Sequence, residues 1–279
     1  MSIPTDFQFS QSSLQDFEIC PRRFELRYLW QLRWPAIEAE PIQEAERLRQ
    51  LGVDFHRLVQ RHLVGVEETA LTDSLTEAEP ELQRWWQNYL DHVPPTLAGA
   101  TLYPEIALST PLAGFRLIAR FDLIAIQPDG TFWIIDWKTT DRKPERDHLA
   151  RHLQTRIYPY VLAAAGSALN QGQAIDPAQI KMMYWYPQSP DQPQTFDYNA
   201  AQFQQSEADL SRLIKDIQGV SSNGGFALTE KEEMCHNCVY RSFCDRGVEA
   251  GSLALFEVES EETLDLATLE WDQIAEVQF

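Results

Sequence analysis

The sequence predicts an α/β domain in which a mixed central sheet is flanked by helices and topped by a helical cap built from both chain ends. Three observations predict it. Apolar residues recur at helical spacing over 42–64 and 78–92. They alternate like strands over 102–109, 114–126 and 131–138, with a further strand expected at 180–186. Finally, the four cysteines divide between the two ends: Cys20 stands alone near the start, and Cys235, Cys238 and Cys244 cluster near the finish.

Residues 10–34 begin SQSSLQDFEICPRRFELRYLW and read as a helix start. Ser10, Ser12 or Ser13 is the candidate cap, and Pro21 is a local break or a new first turn. The helix over 42–64 carries Leu48, Leu51, Phe55, Leu58, Val59 and Leu63 on one face. Pro94-Pro95 ends the helix over 78–92, and the β pattern follows. A helix over 146–165 precedes the last strand, and one over 199–219 leads to the cysteine loop. The expected organisation is a single domain over 1–250, with a helical part (1–98), a sheet core (99–198), and a C-terminal helix and cysteine clasp (199–250). An acidic tail follows at 251–279; 252–279 holds eight acidic residues and no Lys or Arg.

With 279 residues and 44% apolar composition, the chain has material for a substantial core. The start, MSIPTDFQFSQSS, lacks the basic and apolar segments of a secretory signal, and no apolar run is long enough to cross a bilayer, so a cytoplasmic location with no membrane contact is expected. A net charge of −19 argues against a general nucleic-acid coat. Charge is uneven, however. Arg22, Arg23, Arg27 and Arg33 lie together, and Lys138, Arg142, Lys143, Arg146, Arg151 and Arg156 form a second cluster, so local positive grooves are open to phosphate. There is no G-x4-G-K-[ST] phosphate loop, so any unwinding partner, a helicase or recombination protein, is a separate chain.

The cysteine run CHNCVYRSFC has the spacing C-x2-C-x5-C, and Cys20 completes a set of four with none left over. In a reducing compartment such a set points to a metal rather than to disulfides. Zinc and a [4Fe–4S] cluster both remain open; a lone distal cysteine plus a C-terminal triplet fits the cluster better, because zinc sites more often take local pairs.

The most informative segment is FRLIARFDLIAIQPDGTFWIIDWKTT, residues 115–140. Alternation puts Asp136 and Lys138 on one face of the second strand, with Trp133, Ile135 and Trp137 on the other. A three-residue turn at Pro128-Asp129-Gly130 pairs Gln127 with Thr131, and counting back sets Asp122 opposite Asp136 on the same face. Two opposed carboxylates repel unless a cation lies between them, and oxygen ligands at that spacing suit Mg²⁺ or Mn²⁺. Lys138 beside them is placed to orient an attacking water or to stabilise developing charge. Arg116 and Arg120 share the parity of Asp122 as counter-charges or phosphate contacts, and Glu105, in YPEIALS, lies on the preceding strand.

These residues resemble the PD-(D/E)XK nuclease superfamily in its RecB-like branch. IIDWKTT is similar to that branch's D-x-K motif, which implies Asp136 as metal ligand and Lys138 as catalytic lysine. ARFDLIAI resembles the preceding motif with Asp122 as second acidic ligand, and GVDFHRLVQ the upstream helix motif that offers His56 to the metal. LQTRIYPYVLA resembles the Q-x3-Y helix motif, carrying Gln154 and Tyr158. Cys20, Cys235, Cys238 and Cys244 resemble the iron–sulfur clasp of CRISPR-associated exonucleases and AddB-type nuclease domains.

The resemblance implies a restriction-endonuclease-like core, a structural [4Fe–4S] cluster, and Mg²⁺ or Mn²⁺ held by His56, Asp122 and Asp136, with a backbone carbonyl from 135–137 as a further contact. It also implies Glu105 as a residue bordering the metal, and hydrolysis of single-stranded DNA or DNA ends in repair, recombination or CRISPR-related processing. Two positions depart from the family pattern: Leu123 follows Asp122 where a basic residue is common, and Pro159 falls inside the Q-x3-Y helix. A catalytically inactive DNA-binding protein of the same fold and a zinc-stabilised interaction module are the competing readings.

Overall fold

The computed structural model describes residues 3–32, 40–140, 143–222, 225–236 and 238–247. Arg33, Arg142 and the acidic tail lie outside the described residues.

The chain opens with a short strand β1 (Gln8–Phe9) and helix α1 (Gln11–Ile19). Ser10 caps α1: its hydroxyl accepts from Ser13 N–H, while the Ser13 hydroxyl takes up the Ser10 N–H. The helix is interrupted at Pro21, as the sequence suggests. Cys20 is extended and Pro21 starts a new turn, α2 (Pro21–Phe24), which widens into a π turn at Glu25–Leu29. Helices α3 (Glu40–Leu63), α4 (Glu68–Asp73) and α5 (Pro80–Asp91) follow.

Strands β2 (Thr101–Leu112), β3 (Phe115–Ile126) and β4 (Phe132–Trp137) form an antiparallel meander. The expected helix over 146–165 is divided by extended backbone at His152 into α6 (Arg146–Arg151) and α7 (Leu153–Ala165). Pro159 lies inside α7 without ending it. Strand β5 (Ile180–Trp185) runs parallel to β4, β6 (Gln194–Asp197) closes that edge, and α8 (Ala200–Ser222) leads to the cysteine loop. Parallel and antiparallel pairing thus meet in one mixed sheet, whose order is β1-β3-β4-β5-β6 with β2 also on β3.

The connectivity of β3 decides where a site can form. That strand pairs with β2 from end to end on one edge, save at Asp122. The other edge is shared: β4 takes residues 123–126, and β1 takes Arg116 and Leu117 in parallel. Between them the edge of β3 is open.

Each sheet face buries its own core. Phe132, Ile134, Met182 and Tyr184 pack with Ile157 and Val161 of α7 and Leu210, Ile214 and Ile217 of α8. Leu123, Ala125, Ile135, Trp137 and Trp185 pack with Phe55 of α3 and with Trp85, Trp86 and Tyr89 of α5. The odd residues of β4 therefore point one way and the even ones the other, as a pleated strand requires. Among the described residues no helix is long and apolar enough to cross a membrane.

Candidate active site

A small open cleft of about 70 Å³ fills the gap in the β3 edge. The first turn of α1 lines one side with Ser10, Gln11 and Ser12. The end of β4 lines the other with Asp136, Trp137 and Lys138. His56, Glu105, Arg120, Asp122, Gln154 and Tyr158 complete the wall.

The hairpin sets the first part of the geometry. Gln127 N–H donates to Thr131 at 2.9 Å, and Gly130 takes the left-handed conformation, φ +84°, that this turn needs. That closing pair fixes the register counted from the sequence, in which Asp122 and Asp136 fall opposite each other one step beyond the last ladder pair, Leu123–Ile135. At that step the Asp122 carboxylate accepts the Trp137 N–H at 2.9 Å. Trp137 is held in the α3–α5 core, edge-on to both Tyr89 and Trp185. A locked Trp137 turns its neighbours Asp136 and Lys138 to the opposite face.

Glu105 enters through a break in regularity. The β2–β3 ladder pairs Pro104 with Leu123 and Ile106 with Phe121 but skips Glu105 and Asp122. Glu105 is left-handed there, φ +52°, a conformation a side chain rarely takes in a strand. Its carboxylate receives Arg120, with Nε at 2.9 Å and Nη2 at 2.8 Å.

Helix α3 supplies His56. Its Nε2 lies 2.7 Å from the Trp137 carbonyl and its Nδ1 3.5 Å from Asp122 Oδ1. Donation from Nε2–H to the carbonyl leaves Nδ1 facing the carboxylates, so that loss of the Nδ1 proton gives the tautomer a metal ligand needs. Of the 135–137 carbonyls that the sequence offered as a metal contact, that of Trp137 thus has His56 as a partner. One ligand atom each from His56, Glu105 and Asp122 lies within 4.8 Å of the others.

Asp136 is held apart from that trio. Gln154 Nε2 donates to its Oδ1 at 2.5 Å, and Lys138 Nζ stands 3.2 Å from its Oδ2. That Oδ2 is buried and accepts no well-aligned hydrogen bond. Tyr158 sits one turn beyond Gln154 and lays its ring against Phe121, 5.0 Å between centroids. Arg116 lies outside the cleft, on Ser109.

Burial governs protonation here more than any shortage of counter-charge: Glu105, Asp122 and Asp136 face the His56 imidazole, the Lys138 ammonium and the Arg120 guanidinium. Burial, reinforced by Asp122, pushes Glu105 up to about 7. Burial likewise pushes Asp136 up to about 6, with Lys138 opposing and Asp122 adding to the rise. For His56, burial alone would lower the pKa, but Asp122, then Glu105 and Asp136, outweigh it and lift it to about 9. Asp122 is also penalised by burial, yet His56, the Trp137 N–H and Lys138 keep it below the ordinary value. A nitrogen and several oxygens, among carboxylates that burial makes costly to ionise, fit a small divalent cation.

The four cysteines gather at the opposite end of α1. Cys20 and Cys235 are buried, and Cys238 and Cys244 partly so. Burial first, and neighbouring thiols among the further causes, raise the pKa values of Cys235, Cys238 and Cys244; Cys20 is among those neighbours for all three. The chain ends are joined around them. Arg22 N–H donates to Ala227 at 3.1 Å, Tyr240 Oη–H to Leu32 at 2.9 Å, and Phe24 packs on Phe226 and Trp30 on Phe243.

Sequence reasoning did not find that the first turn of α1 lines the cleft. The serine pattern marks a helix start, but no local signal says that β1 will carry it to the open edge of β3.

The sequence matches the model of the PD-(D/E)XK nuclease superfamily over residues 8–245. No curated protein matches it. Among solved structures, the fold is similar to that of a protein from Eubacterium rectale described provisionally as an exonuclease. The TM-score is 0.51 at 10% identity, covering 88% of this chain and 90% of that one. A second, SSO0001, gives a TM-score of 0.41 at 14% identity over 88% and 89% of the two chains.

Proposed function

The chain belongs to the PD-(D/E)XK nuclease superfamily, and from that premise we propose that it is a metal-dependent deoxyribonuclease of the RecB-like branch, an exonuclease on single-stranded DNA or DNA ends. One observation carries the reading: His56, Glu105, Asp122, Asp136 and Lys138 converge on a single cleft open to solvent.

His56, Glu105 and Asp122, with Asp136 adjoining, would hold Mg²⁺ or Mn²⁺, which supplies charge neutralisation at the scissile phosphate and a water of lowered pKa. The remaining tasks fall to the chain itself. His56 keeps Nδ1 inward by donating Nε2–H to Trp137, so the Nδ1 lone pair would be freed toward the ion by loss of its proton. Gln154 fixes one oxygen of Asp136, so the other is turned toward Lys138. The Lys138 ammonium, the nearest cation to that carboxylate, would orient the attacking water and stabilise charge developing on the phosphate. Arg120, partly exposed beside Glu105, would draw the strand into the cleft.

The clasp of Cys20, Cys235, Cys238 and Cys244 would hold a [4Fe–4S] cluster with a structural role. The division of the set, one distal cysteine and a C-terminal triplet, favours the cluster over zinc, whose sites more often take local pairs.

The test is degradation of end-labelled linear and circular single-stranded DNA with Mn²⁺ by anaerobically purified protein. Linear strands are expected to be shortened and circles spared. Lys138→Ala is expected to lower the rate by roughly 10²–10³-fold, as when a charge-stabilising group is removed. Undiminished cleavage by Lys138→Ala would reject the assignment.

A further inference from the structure

We propose that Tyr184 is a positioning residue for Lys138, its buried ring forming the face on which the ammonium rests while it reaches into the cleft. The inference rests on the reading of Lys138 as the catalytic lysine.

Strand β5 brings the two together. Tyr184 pairs in register with Asp136, and the Lys138 N–H donates to the Trp185 carbonyl at 2.8 Å, so the lysine backbone is tied to β5 just past the end of β4. Lys138 Nζ then lies 5.7 Å from the centroid of the Tyr184 ring. That is inside the range of about 6 Å over which an ammonium is attracted to an aromatic face. Tyr184 has no exposed surface and does not line the cleft, so it cannot touch substrate.

The ring is itself held from two further sides. Its hydroxyl lies 2.7 Å from Thr155 Oγ1, and that hydroxyl donates to the Leu149 carbonyl at 2.6 Å, so the phenol is the donor to Thr155. Phe196 of β6 packs edge-on to the ring at 5.9 Å. Thr155 follows Gln154 directly in α7, and Gln154 holds Asp136. One turn of α7 therefore secures both halves of the Asp136–Lys138 pair, the acid through Gln154 and the lysine through Thr155 and Tyr184.

Such a support has a purpose that Asp136 cannot serve alone. Asp136 is shared between Gln154, Lys138 and its role as candidate ligand, so its hold on the ammonium is divided. The ring face is neutral and fixed, and it holds the ammonium without competing for the cleft's other charges.

The test replaces Tyr184 with Phe, with a trifluorinated phenylalanine incorporated at the same position, and with Leu, in the full-length protein. Turnover of single-stranded DNA with Mn²⁺ is measured as separate kcat and KM values beside thermal unfolding. Tyr184→Phe is expected to keep kcat within about threefold, because the ring face remains. Fluorination withdraws charge from that face at nearly constant shape, and is expected to lower kcat about five- to tenfold relative to Phe, with KM within about twofold. Tyr184→Leu is expected to fall at least as far; should it fail to fold, the near-isosteric fluorinated ring decides the matter. A fluorinated variant turning over as fast as Phe, or a Phe variant as slow as Leu, overturns the proposal. Lys138→Ala in the same assay separates the two levels. If it retains the wild-type rate, the nuclease reading of Lys138 fails; if it is inactive while fluorination has no effect, only the role of Tyr184 fails.

Discussion

In the cleft, Asp122, Asp136 and Lys138 sit on adjacent strands of one hairpin, and each is held by backbone that pairs elsewhere in the sheet. In the clasp, four thiols come from opposite ends of the chain, Cys20 from the extended residue between α1 and α2 and the others from a short 3₁₀ turn and the loop after it. Arg22 to Ala227 and Tyr240 to Leu32 are hydrogen bonds that cross between those ends. Both regions gather groups that resist being together, carboxylates in one and buried thiols in the other. The sheet imposes the first arrangement whether or not a ligand is bound. The second has little regular structure to impose it, so a ligand of its thiols contributes much of its stability. The difference teaches that the cleft should survive loss of its ion, whereas the clasp should not survive loss of its own.

The sharpest way to break that comparison is to remove charge from the cleft without disturbing its frame. Asp122→Asn keeps an oxygen for the Trp137 N–H but loses the anionic ligand. Nuclease activity is expected to drop by roughly 10²–10³-fold, with the thermal midpoint within a few degrees of wild type, as read by single-strand cleavage and calorimetry. A large fall in midpoint would mean that the charge, not the ladder, holds the hairpin end.

Gln154→Ala acts one shell further out. It frees Asp136 Oδ1, and Mn²⁺ affinity measured by titration calorimetry is expected to weaken about 10- to 100-fold, as for other residues that orient a ligand. Affinity equal to wild type would show that Asp136 needs no such support.

At the clasp the expected pattern is reversed. Cys238→Ser should abolish bound iron and lower the unfolding midpoint by more than about 5 °C, while the far-ultraviolet signal of the sheet core persists at low temperature. Iron retained at wild-type stoichiometry would remove the cysteine set from its assigned role.

The smallest effect is a drift of metal-free stability with pH. Glu105 and Asp136 have folded pKa values raised to about 7 and about 6, against ordinary values near 4. Between those limits the folded chain binds more protons than the unfolded one. Their contribution is therefore complete below about pH 4 and is lost as pH rises through 6 to 7. His56, raised to about 9, extends the decline from about pH 6.5 to 9. Asp122, held low, works the other way only below about pH 4. Metal-free protein is thus expected to lose stability steadily from pH 5 to 9. Mn²⁺ should offset more of the loss as pH rises, because ligation requires those protons to leave. A flat denaturation midpoint across this range without metal would contradict the raised pKa values of Glu105, Asp136 and His56.

The hairpin was legible in the sequence because its determinants are local. Alternation sets which face Asp136 and Lys138 share, and Gly130 sets the turn, so register follows by counting. The capped start of α1, the amphipathic run of α3 and the break at Pro94-Pro95 were readable for the same reason. Strand β6, preceded by Pro190 and Pro193, gave no clear alternation, and β1 is too short to announce itself. The extended backbone at His152 that divides α6 from α7 has no Pro or Gly to signal it.

By itself, then, the sequence determined the helix and strand pattern, the pairing of Asp122 with Asp136, and the division of the cysteines between the two chain ends. Only the tertiary structure decided that β1 and β4 leave an open edge on β3, that Glu105 takes a left-handed conformation beside Asp122, that His56 points Nδ1 at that carboxylate, and that Tyr184 lies beneath Lys138. The physical reason is range. Side-chain alternation and turn conformation are fixed within a few bonds, whereas the approach of α3, α7 and β5 to the hairpin end is fixed by how Trp137, Phe55, Ile157 and Met182 fill two cores on opposite faces of the sheet.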